Sequence, residues 1–153
     1  MVSYITGNIL YAQTDAIAHG CNTKGRMHQG LANELRMKIP GLYREYRALC
    51  TQGEFVYGQG SVFLGNDPLI INLATQAEGK ATVESVQSAF EWMREISPEY
   101  NINSIAMPRI GCGLGGLKWS TINNVLEDIF SASNIEIEVW SKQQSRLVHQ
   151  TLF

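Results

Sequence analysis

The sequence predicts an α/β fold in three layers, α/β/α, around a mixed and largely parallel central sheet. Three observations carry this expectation. Short apolar segments alternate with amphipathic helical stretches, one pair of strands is joined by a tight turn, and glycine-rich loops follow two of the strands. Alternation of this kind calls for a parallel sheet covered on both faces, and a hairpin adds one antiparallel pair. The 153 residues, 44% hydrophobic and 17% charged, suit one domain over 1–153 with a continuous core.

Residues 2–6 read as a short strand closed by Gly7, and residues 16–19 as a second that ends at Gly20, followed by a long polar loop. From Gly30 onward, Leu31, Leu35 and Ile39 recur every fourth residue with charge between them, until Pro40 and Gly41 end this amphipathic helix. Residues 42–50 continue as a second, shorter helix. Residues 61–64 and 69–74 are strands of a hairpin, because the Asn66, Asp67 and Pro68 between them each favour chain reversal.

Thr82 is placed to cap a helix whose buried stripe is Val83, Val86, Phe90, Met93 and Ile96, at steps of three and four, and which ends before Pro98. Residues 104–107 form a strand. Residues 120–131 form a helix with Ile122, Val125, Leu126, Ile129 and Phe130 inward, and residues 135–139 form a last strand.

Composition removes several classes of function. Formal net charge is −2 and the Lys and Arg residues are scattered, which leaves no footprint for general nucleic-acid binding. No window approaches the roughly 18–20 apolar residues of a membrane span, and residues 1–7 lack the basic start and apolar core of a signal, so a cytoplasmic protein without membrane contact is expected. Cys21, Cys50 and Cys112 cannot all pair in one chain, and no C-x-x-C occurs. Reduced thiols are expected, with no metal and no cofactor, since His19, Cys21, His28 and Cys112 lack zinc-ligand spacing.

In sheets of this kind ligands settle outside the carboxyl ends of strands. Two loops there stand out, residues 20–30 (Gly-Cys-Asn-Thr-Lys-Gly-Arg-Met-His-Gln-Gly) and residues 111–116 (Gly-Cys-Gly-Leu-Gly-Gly), both leading into helices. Glycines let successive N–H groups turn toward one point, and the following helix N-terminus adds partial positive charge, which together cradle a phosphate. Neither loop is a Walker A motif, and neither fits the Rossmann fingerprint.

Thr6-Gly7-Asn8-Ile9-Leu10, His19-Gly20-Cys21-Asn22 and the run from Met107 through Pro108 and Arg109 to Gly116 together resemble a macro domain over residues 2–140. The most similar branch holds the terminal ADP-ribose protein glycohydrolase, the DNA ADP-ribosyl hydrolase antitoxins and the yeast-type ADP-ribose 1''-phosphate phosphatases. The resemblance implies that the partner is ADP-ribose or a derivative of it, with an ADP-ribosylated macromolecule as a second class. It puts Asn8 and Ile9 beside adenine and Asn22 at the distal ribose. Gly25, Met27, Gly30 and Leu31 surround the diphosphate and distal ribose. The resemblance has Gly111, Cys112, Gly113, Leu114 and Gly115 close the other side, counts Thr75, Pro108 and Ile110 among the ligand-binding residues, and puts Trp140 near the adenosine end. Residues 141–153 extend past the resemblance, with Leu147, Val148, Leu152 and Phe153 available to cap the core or meet a second chain.

The chain departs from its branch at three positions. Related glycohydrolases carry a lysine where this chain has Gln76, and the protein glycohydrolase an acid where it has Gly115; an amide cannot replace an amine nucleophile. His28 stands where relatives have glycine. The catalytic candidates are therefore His19 and His28, which can move protons, and Asn22, which can hold a water. The implied activity is hydrolysis at the distal ribose, of a 1''-phosphate or an acyl group. Removal of ADP-ribose from protein or DNA, and reading without catalysis, are the alternatives.

Overall fold

In chain order the protein, seen as a computed structural model that describes residues 1–77 and 79–142, begins with strand β1 (Val2–Thr6), a 3-10 turn (Ile9–Tyr11) and β2 (Ala16–Asn22). Helices α1 (Gly30–Lys38) and α2 (Leu42–Thr51) follow, then β3 (Gly60–Phe63), β4 (Leu69–Gln76) and α3 (Val83–Ile96). A second 3-10 turn (Ser97–Tyr100), β5 (Ser104–Met107), α4 (Trp119–Phe130) and β6 (Glu136–Ser141) complete it. From residue 143 onward the expected extension lies outside the described residues.

The strands form one sheet in the order β1-β6-β5-β2-β4-β3, every neighbouring pair parallel except the β3–β4 hairpin. This is the mixed, largely parallel sheet that the sequence predicts. Its two faces carry separate apolar layers. Ala16, Ala18, Ile71, Leu73, Ile105 and Ile137 pack under α3 and α4, while Ile17, Ile70, Ala74 and Ala106 pack under α1 and α2. Strand residues alternate between the two because successive side chains point to opposite faces.

Local chemistry sets the helix limits. Thr82 accepts from the Ser85 backbone N–H while Ser85 Oγ accepts from Thr82 N–H, a reciprocal cap. Ser85 Oγ also lies 2.8 Å from the Thr75 carbonyl, which ties the start of α3 to the end of β4. Val86, Phe90 and Met93 are fully buried on α3 together with Ala89, and Val83 and Ile96 are half-buried at the ends of the stripe. Ile122, Leu126 and Phe130 play the same part on α4, with Val125 and Ile129 at its margin.

The departures from expectation are local. β2 does not stop at Gly20 but runs on to Asn22, because Gly20 and Cys21 pair with Leu73 and Ala74 of β4. A Cβ at Gly20 would lie 2.9 Å from Thr75 Oγ1, so a larger residue there would press on the Thr75 side chain. Residue 64 leaves the hairpin, and the last strand begins and ends later than residues 135–139. Among the described residues no helix is long and apolar enough to cross a membrane.

Candidate functional site

Because β1, β2, β4, β5 and β6 are parallel, the segments that leave them gather along one edge of the sheet. A trough runs along that edge in three connected stretches. Pro108, Arg109 and Gly113 join the stretch beside Trp140 to the middle one, and Gly20, Gln29, Ala32, Gln76 and Leu114 join the middle to the far end. The far end is a cavity of about 420 Å³ walled by Asn22, Lys24, Arg26, Met27 and His28. Gln29 caps α1 without a side-chain bond, so first-turn N–H groups beside the middle stretch remain available to an anion.

The loop after β2 is stitched by side chains. Asn22 Oδ1 accepts from the Lys24 and Arg26 backbone N–H groups at 2.9 and 3.2 Å, and its Nδ2 donates to the Arg26 carbonyl at 2.9 Å. The Tyr46 hydroxyl lies 2.7 Å from the Asn22 carbonyl and 2.9 Å from Oδ1, so its one hydrogen is shared between them. Burial pushes the Tyr46 phenol far up, helped by Cys21 and Cys50, and keeps it a neutral donor. Asn22 thus spends its carbonyl on the loop and keeps one Nδ2 hydrogen for a ligand.

His19 sits on the α1/α2 face of β2, 1% exposed. Its Nε2 is 2.7 Å from Asn72 Oδ1; a carbonyl oxygen only accepts, so Nε2 carries the hydrogen. Burial pushes the imidazolium down to about 4 against the opposing Asn72 bond, which keeps the ring neutral near pH 7. Cys21 Sγ is 3.5 Å from His19 Nε2 and 3.8 Å from Nδ1. Burial pushes the Cys21, Cys50 and Cys112 thiols up, so none is a ready nucleophile.

The loop after β5 is built from backbone. Gly111 has φ +83°, and the Leu117 N–H donates to its carbonyl at 2.8 Å. A Cβ at Gly115 would lie 2.6 Å from that same carbonyl oxygen, so no side chain fits there. Gly115 O in turn accepts from Ala81 N–H at 3.3 Å, joining this loop to the segment after β4. Leu114, 70% exposed, stands over the trough between its middle and far stretches.

The structure brings most of the expected residues to this edge, in different roles. Met27 lines the cavity from the core, 1% exposed, and Leu31, Pro108, Ile110 and Gly113 line the middle. Thr75, also 1% exposed, lies beneath the trough against Gly20. Gly25 is buried behind it, where its carbonyl accepts from Tyr43. Cys112 and Trp140 line the near stretch, and Trp140 donates through Nε1 to Glu138. Asn8 and Ile9 do not line the trough; Asn8 Oδ1 accepts from Leu10 N–H, and Ile9 is in the core against which Trp140 packs.

Sequence reasoning did not single out Lys24, Ala32 or Arg109, and took Arg26 and Gln29 only as part of the stretch 25–31; all five line the trough. The signal for them was their place in the two loops and the first turn of α1. Arg36 and Tyr43 were also missed, although Arg36 Nη1 lies 2.9 Å from His28 Nδ1 and both rings pack together. Their spacing of eight and fifteen residues from His28 follows no motif. Among the described residues no three His, Cys, Asp or Glu side chains converge on a metal-sized centre.

A largely parallel sheet with glycine loops, a helix start and an elongated trough along its carboxyl edge defines the class of α/β domains that carry their site outside the strand ends. The Macro domain family model matches residues 18–126, and the chain belongs to the macro domain family. It is 29% identical to the human ADP-ribose glycohydrolase OARD1 over 92% of this chain and 91% of that one. It is 25% identical to the ADP-ribose 1''-phosphate phosphatase of Candida albicans over 84% of this chain and 93% of the other. The solved macrodomain of Mycobacterium tuberculosis DarG superposes with a TM-score of 0.86 at 25% identity, covering 94% of this chain and 99% of that one. The chain spans 43% of a further relative, the Thermosipho africanus DNA ADP-ribosyl transferase–DNA ADP-ribosyl glycohydrolase fusion protein, at 22% identity over 95% of this chain.

Proposed function

We propose that this macro domain binds ADP-ribose along the trough and hydrolyses a group carried on the distal ribose. The adenosine lies beside Trp140, the diphosphate between the start of α1 and the loop 111–116, and the distal ribose in the cavity of Asn22 and His28. The observation that carries this reading is the continuity of the trough past both glycine loops into a cavity walled by Lys24, Arg26 and His28. The relatives named for ADP-ribose chemistry support the ligand.

With Gln76 and Gly115 at the two departing positions, water is the nucleophile and the protein positions it. The free Nδ2 hydrogen of Asn22 orients the substrate or the water, and the donors of His28 and Arg26 stabilise charge that develops on the departing group. His19, neutral and bonded to Asn72, holds β2 and its loop in place. Its placement favours support over proton transfer. Free cysteines on all three positions fit a reducing, cytoplasmic setting.

Removal of ADP-ribose from protein or DNA is the second reading, and Lys24 favours it, since it brings an amine to the cavity that Gln76 lacks. Calorimetry with ADP-ribose comes first; no binding at submillimolar concentration sinks both readings. Parallel incubation with ADP-ribose 1''-phosphate, an acylated ADP-ribose and ADP-ribosylated DNA then separates them. Turnover of the DNA substrate alone, abolished in Lys24→Met, establishes the second reading. Binding without turnover of any substrate leaves a reader.

A further inference from the structure

His28 is not an isolated histidine at the mouth of the cavity. Arg36 Nη1 lies 2.9 Å from its Nδ1, and a guanidinium has only donors to offer, so Nδ1 accepts and Nε2 carries the ring hydrogen. Arg36 stands one turn beyond Ala32 on the same face of α1, and Ala32 lines the trough. Tyr43 seats both groups, with the His28 ring tilted against it at 5.9 Å and the Arg36 guanidinium 5.1 Å above its centroid. Tyr43 is itself anchored, its hydroxyl donating to the Gly25 carbonyl at 3.0 Å.

The result is a preorganised pair that carries donors and positive charge but no acceptor, with His28 on the cavity wall and Arg36 bonded to it. Among the described residues no carboxylate pairs with Arg36, His28 or Arg26; Glu34, on α1, is paired with Lys142 at 3.6 Å. A neutral acyl group would accept one bond here, whereas a phosphate offers three oxygens and a charge. We propose that His28 and Arg36, seated on Tyr43, clamp a phosphate monoester carried by the distal ribose and so set the substrate preference of the trough. The proposal rests on ADP-ribose occupying the trough as described above.

The test titrates the full chain with three ligands: ADP-ribose, its non-hydrolysable 1''-phosphonate, and its neutral 1''-O-methyl glycoside. The phosphonate binds about ten-fold or more tightly than the methyl glycoside, the worth of one charge-assisted hydrogen bond. In Arg36→Met and in His28→Ala that preference shrinks to about two-fold or less, the level left by Arg26 and Lys24 alone. His28→Gln keeps part of it, because its amide oxygen still accepts from Arg36 and its N–H still donates. A melting transition recorded for each variant separates a lost clamp from a lost fold. ADP-ribose bound with no preference for the phosphonate, or a preference that survives both variants, overturns the clamp alone. Failure of ADP-ribose to bind overturns the reading beneath it as well.

Discussion

The loop 22–29 is held by side chains, whereas the loop 111–116 is held by its own backbone. In the first, Asn22 and Tyr46 distribute four acceptor contacts over the strand end and the chain beyond it. In the second, the Gly111 carbonyl takes the Leu117 N–H and leaves no volume for a side chain at Gly115. Both flank one trough, yet they fail differently. A stitched loop loses its hold one bond at a time; a loop that depends on missing atoms is disrupted by adding any.

The largest effect should come from Gly115→Asp, which places a carboxylate where the family resemblance implies an acid. Because its Cβ would lie 2.6 Å from a backbone oxygen, the variant should lose about 3 kcal/mol of stability and gain no activity. Urea unfolding and ADP-ribose calorimetry check this; a variant as stable and tight-binding as the parent would show that the loop yields.

The support beneath the first loop should be sensitive to acid. His19 has its proton affinity depressed from 6.5 to about 4 by burial, so the unfolded chain takes up a proton first as pH falls. Stability is then full above 6.5, declines between 6.5 and about 4, and levels below that. The loss attributable to this one ring is up to about 3 kcal/mol. Comparing denaturant midpoints of the parent and His19→Gln across the window is the measurement, and parallel curves would remove His19 as the cause.

Smaller changes sharpen the contrast. Tyr46→Phe removes the shared hydroxyl and should cost about 1–1.5 kcal/mol, with faster amide exchange at Lys24 and Arg26 and none at Gly115 or Leu117. Acceleration spread evenly over both loops would contradict separate modes of support. Leu114→Ala should change stability by less than about 0.5 kcal/mol, since the side chain is 70% exposed. It should still weaken ADP-ribose binding a few-fold, read by calorimetry.

Much of this was legible in the residues. Periodicity located α1, α3 and α4 to within a residue or two because each buries one stripe, and the Asn66–Asp67–Pro68 turn marked the antiparallel pair. The end of β2 was not legible, because Gly20, Cys21 and Asn22 are extended by pairing with β4 rather than by their own preference. The glycines named the trough, whereas its cations did not announce themselves. Arg36 and Tyr43 reach His28 only after α1 and α2 fold back against the loop. Asn22 was identified as a site residue, but the Tyr46 partner that consumes its carbonyl lies 24 positions away in sequence.

Ser61, Asn72 and His19 lie side by side on β3, β4 and β2, a polar row inside an otherwise apolar layer. Their pairing holds for one alignment of the three strands only. Were β2 to slip by one residue against β4, Asn72 would face Ala18 or Gly20, and an imidazole and an amide would be shut away unpaired at about 2 kcal/mol or more each. Interchangeable aliphatic neighbours such as Ile17, Ile70 and Ile71 would tolerate that slip far better. The row therefore favours one alignment of the three strands over its neighbours, and with it the position of the trough at their edge.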